Sequence, residues 1–218
     1  MSAAVIIPAA GSGSRFGGEI PKQFRALGGK PILQRVVERF LLHESVGHII
    51  VAVAEILLAE VKQTERVRFV AGGATRQQSV KNALAAIEDE ELVAVHDAVR
   101  PFFSYETFES LLAVASEHGA AFPGLPVTDT IHIVHDAAII ETPERSLLVA
   151  AQTPQCFRTA LLRDVLSRAA TDDNTDEAGL AARLGYPVRL VPGDPMNFKI
   201  TRPEDLEMAE RIVEQWPS

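Results

Sequence analysis

Short β-branched runs alternate with longer amphipathic stretches along this chain, and that alternation admits few folds. Ala3–Pro8, His48–Ala54, Val67–Ala71, Leu92–Asp97 and Ala120–Pro126 read as strands. Most are apolar throughout, as a strand covered by helices on both faces must be. Pro31–His43, Thr75–Ala86, Tyr105–His118 and Ala160–Ala170 read as helices between or after them. Strand and helix in turn make βαβ units, so the expected class is α/β: a Rossmann-like open, mostly parallel twisted sheet with helices on both faces. Near the C-terminus, Thr201-Arg-Pro-Glu204 reads as a capping box with Pro203 close to the first turn. It opens a helix from Glu204 to about Gln215 whose Leu206, Ala209, Ile212 and Val213 would face the sheet. Lys199 then falls at a strand-to-helix junction.

Ligands of open α/β sheets bind beyond the carboxyl ends of strands, and the chain places chemistry there. The first strand runs into Pro8-Ala-Ala-Gly-Ser-Gly-Ser-Arg15, and Pro21-Lys22-Gln23 follows shortly after. Glycines and small residues let successive N–H groups approach phosphate oxygens without a Cβ in the way. Arg15 and Lys22 add fixed positive charge, which favours a phosphate gaining charge during displacement. Two better-known signatures do not fit. A dinucleotide fingerprint would need glycine where Phe16 stands, and a P-loop lysine would fall at Glu19. Gly72-Gly73 follows the third strand and Asp97-Ala98-Val99-Arg100 the fourth, so three segments should converge on one edge.

Composition narrows the class of partner. Among 218 residues, 21 basic and 29 acidic side chains give a formal charge of −8, which argues against a general nucleic-acid or anionic-membrane binder. Any positive field must be local. Length permits one or two domains, and a single domain spanning 1–218 is the expectation. Cys156 is the one cysteine, so no intrachain disulfide can form. With no signal-peptide pattern and no apolar run approaching the ~20 residues of a membrane span, a soluble protein of the reducing cytoplasm is expected.

Between Pro126 and Thr153 the pattern changes. Val127-Thr-Asp-Thr-Ile-His-Ile-Val-His-Asp alternates polar and apolar residues, and Ala137–Glu141 resumes after a turn. This reads as a β-hairpin arm spanning about 127–150. A two-stranded ribbon is marginal alone in water, so its apolar face needs cover, either from a second molecule or from its own domain.

Taken in order, these blocks resemble the 2-C-methyl-D-erythritol 4-phosphate cytidylyltransferases of the non-mevalonate isoprenoid pathway. The resemblance spans nearly the whole chain. It rests on the 8–15 and 21–23 blocks, Gly72-Gly73 with Arg76-Gln77 and Ser79-Val80, and His-Asp-Ala-Val-Arg-Pro-Phe at 96–102. Asp129-Thr130, Thr153-Pro154-Gln155, Thr175-Asp176-Glu177-Ala178 and Asn197-Phe198-Lys199-Ile200-Thr201 complete it. It implies that the phosphate of methylerythritol phosphate attacks the α-phosphorus of CTP and releases pyrophosphate. A phosphate dianion is already a nucleophile, so positioning and charge neutralisation carry the catalysis.

On that resemblance Arg15, Lys22, Arg145 and Lys199 are the catalytic cations, with Mg²⁺ or another divalent ion bridging phosphates. CTP would meet Pro8, Ala9, Ala10, Gly11, Gly13, Arg15, Lys22, Gly72, Gly73, Ser79, Asp97 and Ala98. The polyol phosphate would meet Arg100, Thr130, Arg145, Thr153, Thr175 and Lys199. Asp97 could orient ribose, metal or polyol. In the resembled family the arm hooks a second subunit, so a homodimer is expected and Arg145 could reach the other subunit's site.

The residues alone leave other readings open. Asp97 could cap a turn, Arg145 could be a solvated charge, and Thr175 could be a helix N-cap before Asp176-Glu177. Lys199 lies in an apolar stretch, where an unpaired ammonium is costly unless an anion joins it. His132 and His135 lie beside Asp136, but three apart on an extended arm they point to opposite faces, which argues against a metal site. Cys156 reads as a packed thiol. His132 and Ala74 depart from residues common in the family, and Val99 is shared with the ribitol 5-phosphate cytidylyltransferases, the alternative acceptor class. A catalytically silent nucleotide-binding module is a further alternative, since a fold does not fix a function.

Overall fold

The structure, a computed structural model, describes residues 2–11, 16, 20–171 and 174–216. The chain begins with β1 (Ala3–Pro8), a small hairpin of β2 (Ala26–Leu27) and β3 (Lys30–Pro31), α1 (Ile32–Leu41) and β4 (Val46–Val53). It continues through β5 (Val67–Ala71), α2 (Arg76–Leu84), β6 (Leu92–Val95), α3 (Tyr105–His118) and β7 (Ala120–Pro126). A second hairpin, β8 (Ile133–His135) and β9 (Ala138–Glu141), leads to β10 (Val149–Ala151), β11 (Gln155–Arg158) and α4 (Thr159–Ser167). Then come α5 (Glu177–Arg183), β12 (Arg189–Pro192) and α6 (Pro203–Val213).

Among the described residues eight strands form one sheet. β1 pairs in parallel with β4 and β6, and β5 extends the sheet in parallel beyond β4. On the other side β11 runs antiparallel to β6 and β7, and β12 lies parallel along β7. β10 joins β7 on the same side as β11, also antiparallel. The sheet is therefore mostly parallel, as its apolar strands required, with the returning β10–β11 segment as the exception. Residues 152–154 interrupt that segment, opposite the end of β6.

Successive strand residues point to opposite faces, and both faces are covered. Ala3, Val5 and Ile7 pack with Leu33, Val36 and Phe40 of α1 and with Phe108 and Leu111 of α3. Ala4 and Ile6 pack with Val80 and Ala83 of α2, Leu162 and Val165 of α4, and Ala181 of α5.

The last helix differs from the expectation in two ways. Ala209, with Leu206, Ile212 and Val213, packs against Leu27, Ile32, Val99, Phe102 and Ile200 instead of the sheet. The apolar stripe is real, but its partners are the β2–β3 hairpin and the turn after β6. Its cap also lies one residue later than the Thr201–Glu204 pairing: Asp205 Oδ2 accepts from the N–H groups of Thr201 and Arg202, each at 2.8 Å. The sheet pairing of β6 stops at Val95, so His96 and Asp97 lie past its end.

The β8–β9 hairpin turns at Asp136 and Ala137, with φ of 48° and 60°. Positive φ at both central positions is the geometry of a two-residue hairpin turn that follows the strand twist. Its apolar side chains lie open, with Ile139 and Ile140 exposed by 60% and 65%. Since β10 belongs to the main sheet, the arm ends before Val149, slightly short of the expected span. Among the described residues no helix is long and apolar enough to cross a membrane.

Candidate functional site

A cleft of about 820 Å³ opens beyond β1, β5 and β6. Its walls are Pro8 to Gly11 after β1, Gly73 to Arg76 and Ser79 after β5, and Asp97 to Val99 after β6, joined by Lys22, Gln23 and Lys199. The three segments expected to converge therefore do so. Gly13 and Arg15 lie outside the described residues.

The first wall is held by a side chain to which sequence reasoning gave no role. Gln23 is 4% exposed, and its Nε2 donates to Ala9 O at 2.7 Å and Gly11 O at 2.8 Å. A buried amide has to spend its hydrogens, and here they tie the strand-end loop to the 3₁₀ turn Lys22–Phe24 that brings Lys22 to the cleft. Its place beside Lys22 in Pro-Lys-Gln was the one available signal.

The second wall depends on close backbone approach. A Cβ on Gly72 would meet the Ala10 Cβ at 2.2 Å, so the loops after β1 and β5 touch where only glycine fits. Ser79 Oγ accepts from Gly73 N–H and donates to Thr75 O, both at 3.0 Å. Thr75 in turn caps α2 by accepting from Gln78 N–H. The Ser79 hydroxyl thus shapes the wall it lines, and Gly72 stands just behind it.

The third wall concentrates charge. Asp97, 7% exposed, has Lys199 Nζ at 3.0 Å and Arg100 Nε at 3.1 Å from Oδ2, with Arg76 Nε at 3.6 Å from Oδ1. Burial alone would raise the pKa of this carboxyl, but Lys199, Arg76 and Arg100 together hold it well below the usual carboxylate range. Asp97 is the anion that Lys199 was expected to need. Arg76, seen in the sequence only as part of a motif, lines the cleft and donates from Nη1 to both Glu177 oxygens, at 2.7 and 2.9 Å. Burial works against the charged guanidinium, yet Glu177 and Asp97 raise its pKa and keep it protonated. The partners Arg76 and Glu177 are too far apart in the chain for any local motif to join them.

Behind Asp97 sits a polar web. Asp97 N–H donates to Thr153 Oγ1 at 3.0 Å, and Thr153 Oγ1 lies 3.3 Å from His96 Nδ1. His96 Nε2 is 2.9 Å from Arg100 O, an acceptor, so Nε2 carries the hydrogen. Burial pushes the His96 pKa down to about 4, so the ring is neutral. Arg100 Nη1 donates to Asn197 O at 2.8 Å, and Asn197 Nδ2 to Thr153 O at 2.8 Å, which fixes the segment carrying Lys199.

The expected site residues thus divide. Pro8, Ala9, Ala10, Gly11, Lys22, Gly73, Ser79, Asp97, Ala98 and Lys199 line the cleft. Arg100 and Thr153 are buried supports of Asp97 instead of wall residues. Thr175 is exposed and is not the cap of α5; Asp176 is, its Oδ1 accepting from Gly179 N–H at 3.1 Å. Thr130 and Arg145 are exposed on the arm, away from the cleft walls, and Arg145 Nη1 donates to Thr128 O. Cys156 is wholly buried, and burial pushes its thiol pKa up, as a packed thiol requires.

A model of the 2-C-methyl-D-erythritol 4-phosphate cytidylyltransferase family matches residues 3–215. Proteins of that name from Symbiobacterium thermophilum and Frankia casuarinae are 43% and 45% identical to this chain. They match 97% and 96% of it, and 92% and 80% of their own lengths. The crystal structure of the protein so named from Thermus thermophilus has a TM-score of 0.83 at 38% identity, covering 98% of this chain and 100% of that one. The Francisella tularensis structure has a TM-score of 0.84 at 30% identity, covering 97% and 99%. Matched along nearly its whole length and carrying its cations at the strand ends, the chain belongs to the 2-C-methyl-D-erythritol 4-phosphate cytidylyltransferase family.

Proposed function

We propose that the cleft beyond β1, β5 and β6 transfers CMP from CTP to 2-C-methyl-D-erythritol 4-phosphate. A phosphate oxygen of the acceptor bonds to the α-phosphorus, the bond to the β-phosphate breaks, and pyrophosphate leaves with the electron pair. The product is 4-diphosphocytidyl-2-C-methyl-D-erythritol. The observation that carries this reading is the meeting of Lys22 and Lys199, from opposite ends of an acidic chain, in one cleft.

Lys22, together with Arg15, offsets the charge on the α-phosphate and departing pyrophosphate. Lys199 exchanges part of its contact with Asp97 for the acceptor phosphate and holds it in line. Backbone groups at Ala9, Ala10 and Gly73, on a wall shaped by Ser79 and backed by Gly72, would match the amine and carbonyl edge of cytosine. Arg100 and Thr153 act through Asp97, and Thr175 borders the acceptor.

Asp97 is the one carboxylate lining the cleft among the described residues. It already faces Lys199, Arg100 and Arg76, so Mg²⁺, which takes one or two carboxylates together with substrate phosphates, would be held mainly by the phosphates and would take Asp97 only at the expense of those contacts. Triphosphate oxygens would hold the ion with Asp97 as the one protein carboxylate available among the described residues, and when bound it would supply further neutralisation of phosphate charge.

The exposed apolar side chains of the arm favour a homodimer, with each arm laid on the other subunit and its Thr130 and Arg145 brought to that subunit's acceptor. A lone, buried cysteine suits a reducing cytoplasm. Pyrophosphate release from CTP and Mg²⁺ with methylerythritol phosphate, compared with ribitol 5-phosphate, tests the reading. Release with the first acceptor and little with the second is expected; the reverse preference, or no release, would sink it.

A further inference from the structure

Arg76 and Glu177 are each the first residue of a helix, α2 and α5, so their pair joins two helix N-termini. Glu177 suits its position, since an anion is favoured at the positive end of a helix, but Arg76 is a cation at such an end. A residue set against local preference and held by tertiary contacts marks a functional demand. The pair is 24% and 2% exposed in its side chains, and Arg76 Nε is buried with no hydrogen-bond acceptor among the described residues, 3.6 Å from Asp97 Oδ1.

The segment after residue 173 has further ties to the same region. Asn174 Nδ2 donates to Gln77 Oε1 at 2.7 Å, one residue from Arg76. Gln155, next to the Thr153-Pro154 break, donates to Asp176 Oδ2 at 2.8 Å and accepts from Ala178 N–H at 2.9 Å. Thr175 stands between these anchors, while Arg76 also borders the wall formed by Gly73 and Ser79.

We propose that Arg76, paired with Glu177, is a positioning residue that fixes the acceptor-side segment 174–178 against the nucleotide wall and against Asp97. The proposal rests on the cytidylyl-transfer reading above. Its partners are arranged so that losing the pair moves the acceptor side first: Glu177 belongs to that segment, whereas the Gly73–Ser79 wall keeps its own hydrogen bonds through Ser79 and Thr75.

The test is steady-state pyrophosphate release with each substrate varied in turn, on the parent, Glu177→Gln and the double variant Arg76→Met/Glu177→Met, with melting temperatures alongside. Activity of the parent checks the reaction itself, independently of the variants. The double variant serves where Glu177→Gln is too unstable, because an apolar pair of similar volume often replaces a buried ion pair without loss of folding. kcat/KM for methylerythritol phosphate should fall roughly ten- to hundredfold in a folded variant, the scale of a small misplacement near reacting groups, with a raised KM for that substrate and KM for CTP within about twofold. An unchanged acceptor KM, or an equal rise for both substrates, would overturn the proposal and leave the pair a stability element.

Discussion

Lys22 and Lys199 reach one cleft from opposite ends of the chain, and they are held there in different ways. Lys199 is set by Asp97 at 3.0 Å, whereas Lys22 is delivered by a turn that Gln23 ties to the loop after β1. Under the proposed reaction, Lys22→Ala should lower kcat about a hundredfold or more, the effect of removing one preorganised group that stabilises developing charge. Near-parental turnover at saturating substrates would take Lys22 out of the mechanism.

His96 carries a pH prediction of its own. Burial, opposed only in part by its bond to Arg100 O, holds its pKa near 4 in the folded chain, against ~6.5 when unfolded. Between those values the unfolded chain binds the proton and the folded chain does not. Its contribution to stability is therefore complete above pH ~6.5 and falls away towards pH 4, by about 3 kcal/mol over the window. In His96→Gln, which keeps a donor for Arg100 O, the melting temperature should fall less steeply across that window than in the parent. An identical slope would mean that His96 does not govern the acid limb.

At the scale of elements, legibility follows the apolar pattern of the sequence and not burial, for β11 is buried at Gln155, Cys156 and Phe157 whereas β5 is buried only at Val67. β1, β5 and α3 match their expected bounds because each is dominated by an apolar pattern of clear period. β11 and β12 were not anticipated: Gln155-Cys-Phe-Arg is polar at both ends, and β12 is an exposed edge whose Leu190 is 51% exposed. α5 was signalled only through Thr175 as a possible N-cap, and the residue that caps it is Asp176. The cleft was legible because glycines, Lys22 and Asp97 announce themselves at strand ends, whereas Arg76–Glu177 and the Gln23 clamp exist only once distant segments meet. α6 shows the same division: its stripe was readable, its partner and cap register were not. Since Asp205 accepts two N–H groups there, Asp205→Ala should cost about 1 kcal/mol, or a drop of roughly 2–4 °C in a chain of this size. Glu204→Ala should cost less. Thermal melting that ranked the two the other way would return the cap to Glu204.

For the whole molecule, the open apolar face of the arm and the location of Arg145 bear on the same question. A formal charge of −8 keeps the surface repulsive towards stray anions, while the cleft gathers its cations locally. Within one chain Arg145 donates to Thr128 O on an exposed arm and is not among the residues lining the cleft, and its proposed contact with the acceptor is made from the other subunit. An isologous twofold dimer would give each arm to the other's cleft. Arg145→Ala and Lys22→Ala homodimers would then both be inactive for different reasons. A heterodimer of the two contains one site with Lys22 intact and Arg145 supplied by the other subunit, and one site lacking both. Activity should return to about half the parental value per dimer, since one of two symmetric sites is complete. The measurement is pyrophosphate release by tagged heterodimers purified through both tags. If verified heterodimers stay as inactive as the single variants, Arg145 does not act across the interface, and the arm's apolar face serves assembly alone.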